Sequence, residues 1–509
     1  MANAFDPVPL TMLCPADSEL AAFLQEAHRL VEREPEILQR IEADLDLHGK
    51  RKKSLRLQDE EWTASRTLGL PTVDLESATV PPEALRLEAG RPRTPAYVVY
   101  MFLVGRGYYG GFKSAGAMTL LQESTTLAVF LANQQLSMPG ASTLGELVNA
   151  VANDTREFIF AAQLRMVLGE QWDPLDTLLQ DSTAVEGNTV WPKESQLMVD
   201  LVARLLRSGS KLHRLGMADF DEPFVRKSLG KMVSLHTQIS MGTGKAGSRR
   251  ERKKLYAKLL RLARKARAAL EPHVARAEQE AAALDVLPSR RQMASRLTEQ
   301  LRTDLRNLQR VIDACNARVM HERIVPITEK VLSVSDPDVG FIAKGGRDPV
   351  VGYKPQLGRS GAGFVVGLIL PQGNAADSDQ LVPLFEQVVA RTCVLPTTVS
   401  VDDGYASRAG RETLKARGVA VMSISGSKGK HITPPEEWDD LDHVAARDGR
   451  SAVESLMFTI KHGFDFGRVA RRGIENVRAE LLEKVLAYNF CRMARCRRVV
   501  AESEQRLAS

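Results

Sequence analysis

Thr398-Val399-Ser400-Val401-Asp402-Asp403-Gly404-Tyr405 decides how the chain is read. Its first four residues are β-formers of alternating character, and Asp-Asp-Gly behind them is turn chemistry. A strand therefore ends on an acid. Similar short β-type runs bounded by Gly or Pro follow Pro326: Val331 to Val334, Phe364 to Leu370, and Val419 to Ile424. Helical patterns lie between and after them, at Ser378 to Arg391, Ser407 to Arg417, and from Gly449 onward. Far upstream, the apolar piece Leu175 to Leu179 leads into a second acid, Asp181, in Asp181-Ser182-Thr183. The pattern predicts a strand-rich α/β domain. It is interrupted by a helical insertion in which Leu255, Leu259, Leu262 and Ala266, then Leu297, Leu301, Leu305, Leu308 and Ile312, recur at helical spacing.

A third acid sits on a predicted helix. Arg447, Arg450, Glu454 and Lys461 fall at steps of three, four and seven, which places them on one face at about 100° per residue. One carboxylate between cations suits phosphodiester chemistry: the carboxylate completes a metal site while Arg and Lys hold backbone phosphates. Hard Mg²⁺ prefers such oxygen ligands. Each motif also has a plainer reading. Asp402-Asp403-Gly404 is an ordinary turn, Asp181 can cap one through Ser182 and Thr183, and the Glu454 face can be a solvated charged surface.

The local contexts of the three acids resemble bacterial insertion-sequence transposases of the DDE class, most closely the ISNCY-like group. Asp181-Ser182-Thr183, Asn188 and Trp191-Pro192-Lys193-Glu194-Ser195 are similar to the family's first-strand motif, and Val401-Asp402-Asp403-Gly404-Tyr405-Ala406-Ser407 to its Ala-Asp-x-Gly-Tyr segment. Arg450, Glu454 and Lys461 match its Tyr-Arg-Glu-Lys signature, with Arg447 at the tyrosine position. Arg472-Gly473 and Ala487-Tyr488-Asn489 resemble its C-terminal landmarks, and Gly90 to Ser142 more faintly resembles the helical domain of related enzymes.

The resemblance implies an RNase H-like core in which Asp181, Asp402 and Glu454 hold Mg²⁺, with Mn²⁺ as a substitute. It assigns the metal role to Asp402 and not to Asp403. The implied activity is cleavage at element ends followed by 3′-hydroxyl strand transfer into target DNA. A metal nuclease that does not join strands, and a DNA-binding protein descended from a transposase that has lost catalysis, are the alternatives. Synapsis of two ends implies at least a dimer on DNA.

Five segments follow: an N-terminal helical segment and linker (1–80), a helical DNA-binding domain (81–170), the catalytic core (171–192 and 328–480), the helical insertion (193–327) and a C-terminal helix (481–509). Within the first, a helix is expected from Asp17 to His48, then the basic cluster Lys50 to Lys53. A glycine-rich break is expected at 105 to 111.

The 509 residues carry a formal net charge of +6 and are 44% hydrophobic, enough for several cores and compatible with a nucleic-acid partner. Charge clusters are more informative than the sum. Arg249, Arg250, Arg252, Lys253 and Lys254, continued by Lys258, Arg261, Arg264, Lys265 and Arg267, give a cationic helix suited to DNA phosphates. Arg492, Arg495, Arg497 and Arg498 form a smaller group. Five scattered cysteines fit neither a disulfide framework nor a zinc site, and the apolar run Ala96 to Gly105 is about half a membrane span. The expected setting is the bacterial cytoplasm, at the nucleoid when DNA-bound, with no membrane partner. Gly242-Thr243-Gly244-Lys245-Ala246 lacks the leading Gly and the Ser or Thr of a P-loop, and Gly105 to Gly110 matches dinucleotide spacing without a βαβ context. His431 and His462 belong to no metal-ligand spacing and read as surface residues near the Glu454 helix.

Overall fold

The computed structural model describes residues 19–67, 94–110, 114–138, 140–217, 223–241, 248–343 and 348–508. Cys14, the Gly-Arg-Pro at 90–92, Gly111 and the P-loop-like 242–246 lie outside them. In chain order the helices and strands are α1 (Glu19–Arg33), α2 (Glu36–Thr67), α3 (Ala96–Tyr108), α4 (Ser114–Glu123), α5 (Thr125–Asn133), α6 (Ala141–Ala150), α7 (Asn153–Gly169), β1 (Thr177–Ser182) and β2 (Val185–Glu186). Next come α8 (Glu194–Arg214), α9 (Pro223–Met241), α10 (Ser248–Ala283), α11 (Pro288–Cys315), β3 (Gly340–Ile342), β4 (Val350–Tyr353), β5 (Gln356–Arg359), β6 (Val365–Ile369) and α12 (Asp377–Thr392). The chain continues with β7 (Thr398–Val401), α13 (Arg408–Ala416), β8 (Val421–Ile424), α14 (Ser427–Ile432), α15 (Leu441–Gly449), α16 (Ser451–Gly463) and α17 (Ile474–Ala508). Most of the chain is helical, and both sheets belong to the first of two compact units.

That unit comprises residues 1–48, 89–188 and 338–509. Its five-stranded mixed sheet has the order β6-β5-β1-β7-β8: β1 runs parallel to β7 and β7 to β8, while β5 is antiparallel to both β1 and β6. A smaller sheet, β2-β4-β3, lies beside it in the chain. The register of the central pair matters most. Gln180 is opposite Val401, so Asp181 and Asp402 are the next residues on neighbouring parallel strands. Helix α12 packs on β6, β5 and β1, and α15 packs on β7 and β8.

The N-terminal helices join the same unit through α17, which packs against α1, α3 and α7. They lie in one compact unit with the five-stranded sheet, and α17 runs from Ile474 to Ala508. Leu481, Leu482, Val485, Leu486 and Phe490 of α17 are fully buried. Gly107 shows why the expected break at 105–111 is helix up to Tyr108: a Cβ there would lie 2.0 Å from the Glu483 carbonyl oxygen. Gly107 lets the backbones of α3 and α17 touch. Beside this contact Glu483, 2% exposed, accepts from Arg106 at 2.6 Å, Arg156 at 2.9 Å and Arg471 at 2.6 Å. Burial pushes its pKa up, but the three guanidinium groups outweigh that and hold it well below the carboxylate range. Burial also lowers the Arg106 pKa to about 10, which leaves it charged at neutral pH.

The second unit comprises 49–88 and 189–337. Helices α8 to α11 pack around Leu201, Leu205, Leu259, Ala266, Leu301, Leu308 and Ile312, as the helical spacing predicts. Val331 to Val334, expected as a strand, is not one: Val331 and Val334 pack on this helical core, and the Val334 carbonyl accepts from Arg204. The N-terminal helix is also two. Glu34-Pro35 separates α1 from α2, because a residue before proline is steered away from helical geometry, and α2 then runs through Lys50 to Lys53 to Thr67.

Candidate active site

Local chemistry fixes the acids differently. Asp181 closes β1, is 8% exposed, and its Oδ1 accepts from the Ser182 amide at 2.7 Å. Asp402 N-caps the short turn Asp403–Tyr405, accepting from the Gly404 amide at 2.9 Å. Asp403 faces elsewhere and caps α14, accepting from the Lys428 amide at 2.8 Å and the Gly429 amide at 3.0 Å. The two adjacent aspartates thus have separate jobs in the fold.

A cavity of about 610 Å³ opens at this end of the sheet. Asp181, Ser182, Thr183, Asp348, Asp402, Arg450, Glu454, Phe458, Lys461 and His462 are in its lining. Helix α16 packs against β1 and presents Glu454, Phe458, Lys461 and His462 to it. All three acids predicted from sequence therefore face one space, together with Arg450 and Lys461. Glu454 is 62% exposed at its side chain and accepts from Arg450 Nη2 at 2.7 Å. Among the described residues no group of three or more His, Cys, Asp or Glu side chains is gathered tightly enough to hold a metal ion. The donors nevertheless fit a hard cation in kind, since four carboxylates line the cavity and none of the lining residues offers sulfur other than Met457.

Arg447 departs from the expected helix face. The helix breaks at Arg450, so Arg447 belongs to α15, and its guanidinium stacks over Trp438 with 4.5 Å to the ring centroid. It is not in the cavity lining. Of the histidines, His462 lines the cavity and His431, on α14, does not.

A polar layer that sequence patterns do not reveal supports the strands below. Tyr405 donates to Gln356, Gln356 donates to Asp377 at 2.9 Å, and Lys354 pairs with Asp377 at 2.9 Å. Burial raises the Asp377 pKa, but hydrogen bonds from Gln356 and Lys354 outweigh it and the net shift is down. Burial, then the neighbouring carboxylates Asp377, Asp181 and Asp402, push the Tyr405 hydroxyl far above its ordinary range, so it stays a neutral donor. Of these residues only Tyr405 belongs to a recognisable motif, the Asp-Asp-Gly-Tyr segment.

The landmarks near the C-terminus are docking residues. Asn489 bonds both backbone groups of Val365, at 3.0 and 2.9 Å, and Tyr488 donates to the Gly363 carbonyl at 2.8 Å. Arg472 donates to the Asn188 carbonyl at 2.9 Å. Arg492 and Arg497 are engaged too, with the Ala362 carbonyl and with Glu26.

On α10, Arg249, Arg250, Arg252, Lys254, Lys258, Arg261, Arg264 and Lys265 are exposed; Arg249 and Lys253 pair with Glu322 at 2.9 and 3.5 Å, and Lys254 with Glu251 at 3.6 Å. No helix is long and apolar enough to cross a membrane, among the described residues.

Residues 307–490 match the family model described as the transposase DDE domain. The matched span includes Asp402 and Glu454 and excludes Asp181. No curated protein and no solved structure matches the chain significantly.

Proposed function

We propose that this chain, as the bearer of a transposase DDE domain, is a DNA transposase that cleaves strands at the ends of its element and joins the 3′-hydroxyl to target DNA. One observation carries the reading. Asp181 on β1 and Asp402 just past the end of β7 follow the paired residues Gln180 and Val401 of these parallel strands, and both line a cavity that Glu454 also lines. An acid on each of two neighbouring strands and one on a helix, with a mixed sheet centred on β1, is the arrangement expected of an RNase H-like core.

Asp181, Asp402 and Glu454 are the residues that would hold divalent metal, Mg²⁺ or Mn²⁺, which when bound activates the attacking oxygen and stabilises the departing one. Glu454 accepts from Arg450 through one carboxylate oxygen, Oε1, and Arg450 would hold a backbone phosphate beside the metal site. Lys461 holds the flanking backbone from the same helix. The exposed cations of α10 contact duplex phosphates without reading sequence. Working on paired ends, the protein acts as at least a dimer on DNA in the bacterial cytoplasm.

The test is cleavage and strand transfer on element-end DNA with Mg²⁺, using the parent chain and Asp402→Asn. Loss of both products in the variant, with DNA binding retained, is expected. Cleavage without joining in the parent would make the protein a metal nuclease, and binding with neither reaction a DNA-binding descendant.

A further inference from the structure

Phe458 is 66% exposed and stands in the lining of the cavity that Asp181, Asp402, Glu454 and Lys461 share. It lies one helical turn beyond Glu454, about 6 Å along the axis, and on the same stripe of α16. Its ring faces that of His462, a further turn on, with centroids 4.3 Å apart and planes tilted by 46°. Met457, its chain neighbour, is 9% exposed and fills the contact with the body of the protein. Phe458 is therefore not packing its helix down.

We propose that Phe458, braced by His462, is a stacking platform for a nucleobase next to the scissile phosphodiester. This rests on the transposase reading above. An aromatic face beside cations that track a backbone, here Arg450 and Lys461, is the combination that binds single-stranded DNA, because every base has a π-face. A strand entering with its phosphate at the acids has an unpaired base within reach of Phe458. Stacking tolerates sequence, so the platform holds the strand in register without reading it.

The experiment compares the full-length chain, Phe458→Ala and Phe458→Trp, without metal, on a labelled ten-nucleotide thymidine strand and on an abasic strand of equal length and charge. The parent should prefer the strand with bases. Phe458→Ala should lose roughly tenfold on that strand while its abasic affinity stays unchanged, and Phe458→Trp should keep the preference. Equal losses on both strands, or no loss on either, would overturn the platform. The outcome is separable from the parent reading: intact cleavage in Asp402→Asn sinks the metal site alone, and unchanged base preference in Phe458→Ala sinks the platform alone. A circular dichroism melt matching the parent's establishes that the exposed substitution leaves the fold intact.

Discussion

Arg450 donates to Glu454 across one turn at 2.7 Å, although both line the cavity that Asp181 and Asp402 enter. The pair is half in solvent, so little free energy is needed to part it. Glu454→Gln should therefore bind end DNA with near-parent affinity in a gel shift while cleavage nearly vanishes in Mg²⁺ and in Mn²⁺. Arg450→Ala and Lys461→Ala should each cost about 1.5–3 kcal/mol in activity, a smaller loss than Glu454→Gln causes. Parent-level cleavage by folded Glu454→Gln would remove it from the site.

Neighbouring aspartates should separate chemistry from stability. Asp402→Asn keeps an acceptor for the Gly404 amide, so its melting curve should stay close to the parent's while cleavage is lost. Asp403→Ala leaves two amides at the start of α14 without their acceptor and should cost about 1–3 kcal/mol in denaturant unfolding. Reversed results would exchange their roles.

Gly107→Ala places a methyl where the Glu483 carbonyl already stands, 2.0 Å from the new Cβ. Neither backbone can step aside alone. Destabilisation of at least about 2 kcal/mol is expected in urea unfolding, and a neutral result would mean that α3 and α17 do not meet there.

Glu483→Gln leaves Arg106, Arg156 and Arg471 crowded without a carboxylate and should cost about 3–5 kcal/mol. The folded-state pKa of Glu483 lies well below its ordinary 4.5, so its stabilisation is complete above that value and fades as pH falls toward the folded-state value. The stability gap between parent and variant should narrow below about pH 4.5. A gap constant with pH would contradict the arrangement.

Neutralising Arg250, Arg252, Lys258 and Arg261 on α10 should weaken binding to all duplex sequences alike. The slope of log affinity against log salt should flatten by about 0.9 for each phosphate that is no longer neutralised. Arg249 and Lys253, already paired with Glu322, should contribute less to that slope. Weakening confined to one sequence would indicate base readout instead.

The strands with alternating β-formers were legible: Thr398 to Val401 is a strand over those same four residues, and Phe364 to Leu370 and Val419 to Ile424 contain β6 and β8. Strands β3, β4 and β5 escaped because glycine interrupts two of them and they run only three or four residues. Gly352 reads as a turn signal, yet a side chain there would meet the Val185 carbonyl at 2.0 Å, so pairing with β2 is what requires it. Val331 to Val334 carried the right residues and the wrong surroundings, an apolar segment laid on helices. Local motif contexts pointed to three acids that line one cavity, since the spacing within each motif is untouched by a segment inserted between motifs. The Lys354-Gln356-Asp377-Tyr405 layer was invisible because its members are polar residues distant in sequence that become meaningful only when β5, α12 and the turn after β7 meet.

The place of β1 in the sheet also bears on how the protein is born. Both its neighbours, β5 and β7, are encoded after the whole helical unit, so at roughly 5–20 residues per second about ten to forty seconds separate the emergence of Asp181 from that of Asp402. During that interval β1, with Leu178 and Leu179 at its centre, has neither neighbour to pair with, while the helical unit behind it, rich in local contacts, can complete its own folding on the ribosome. The sheet can therefore close around β1 only late in synthesis, once β5 and β7 have emerged.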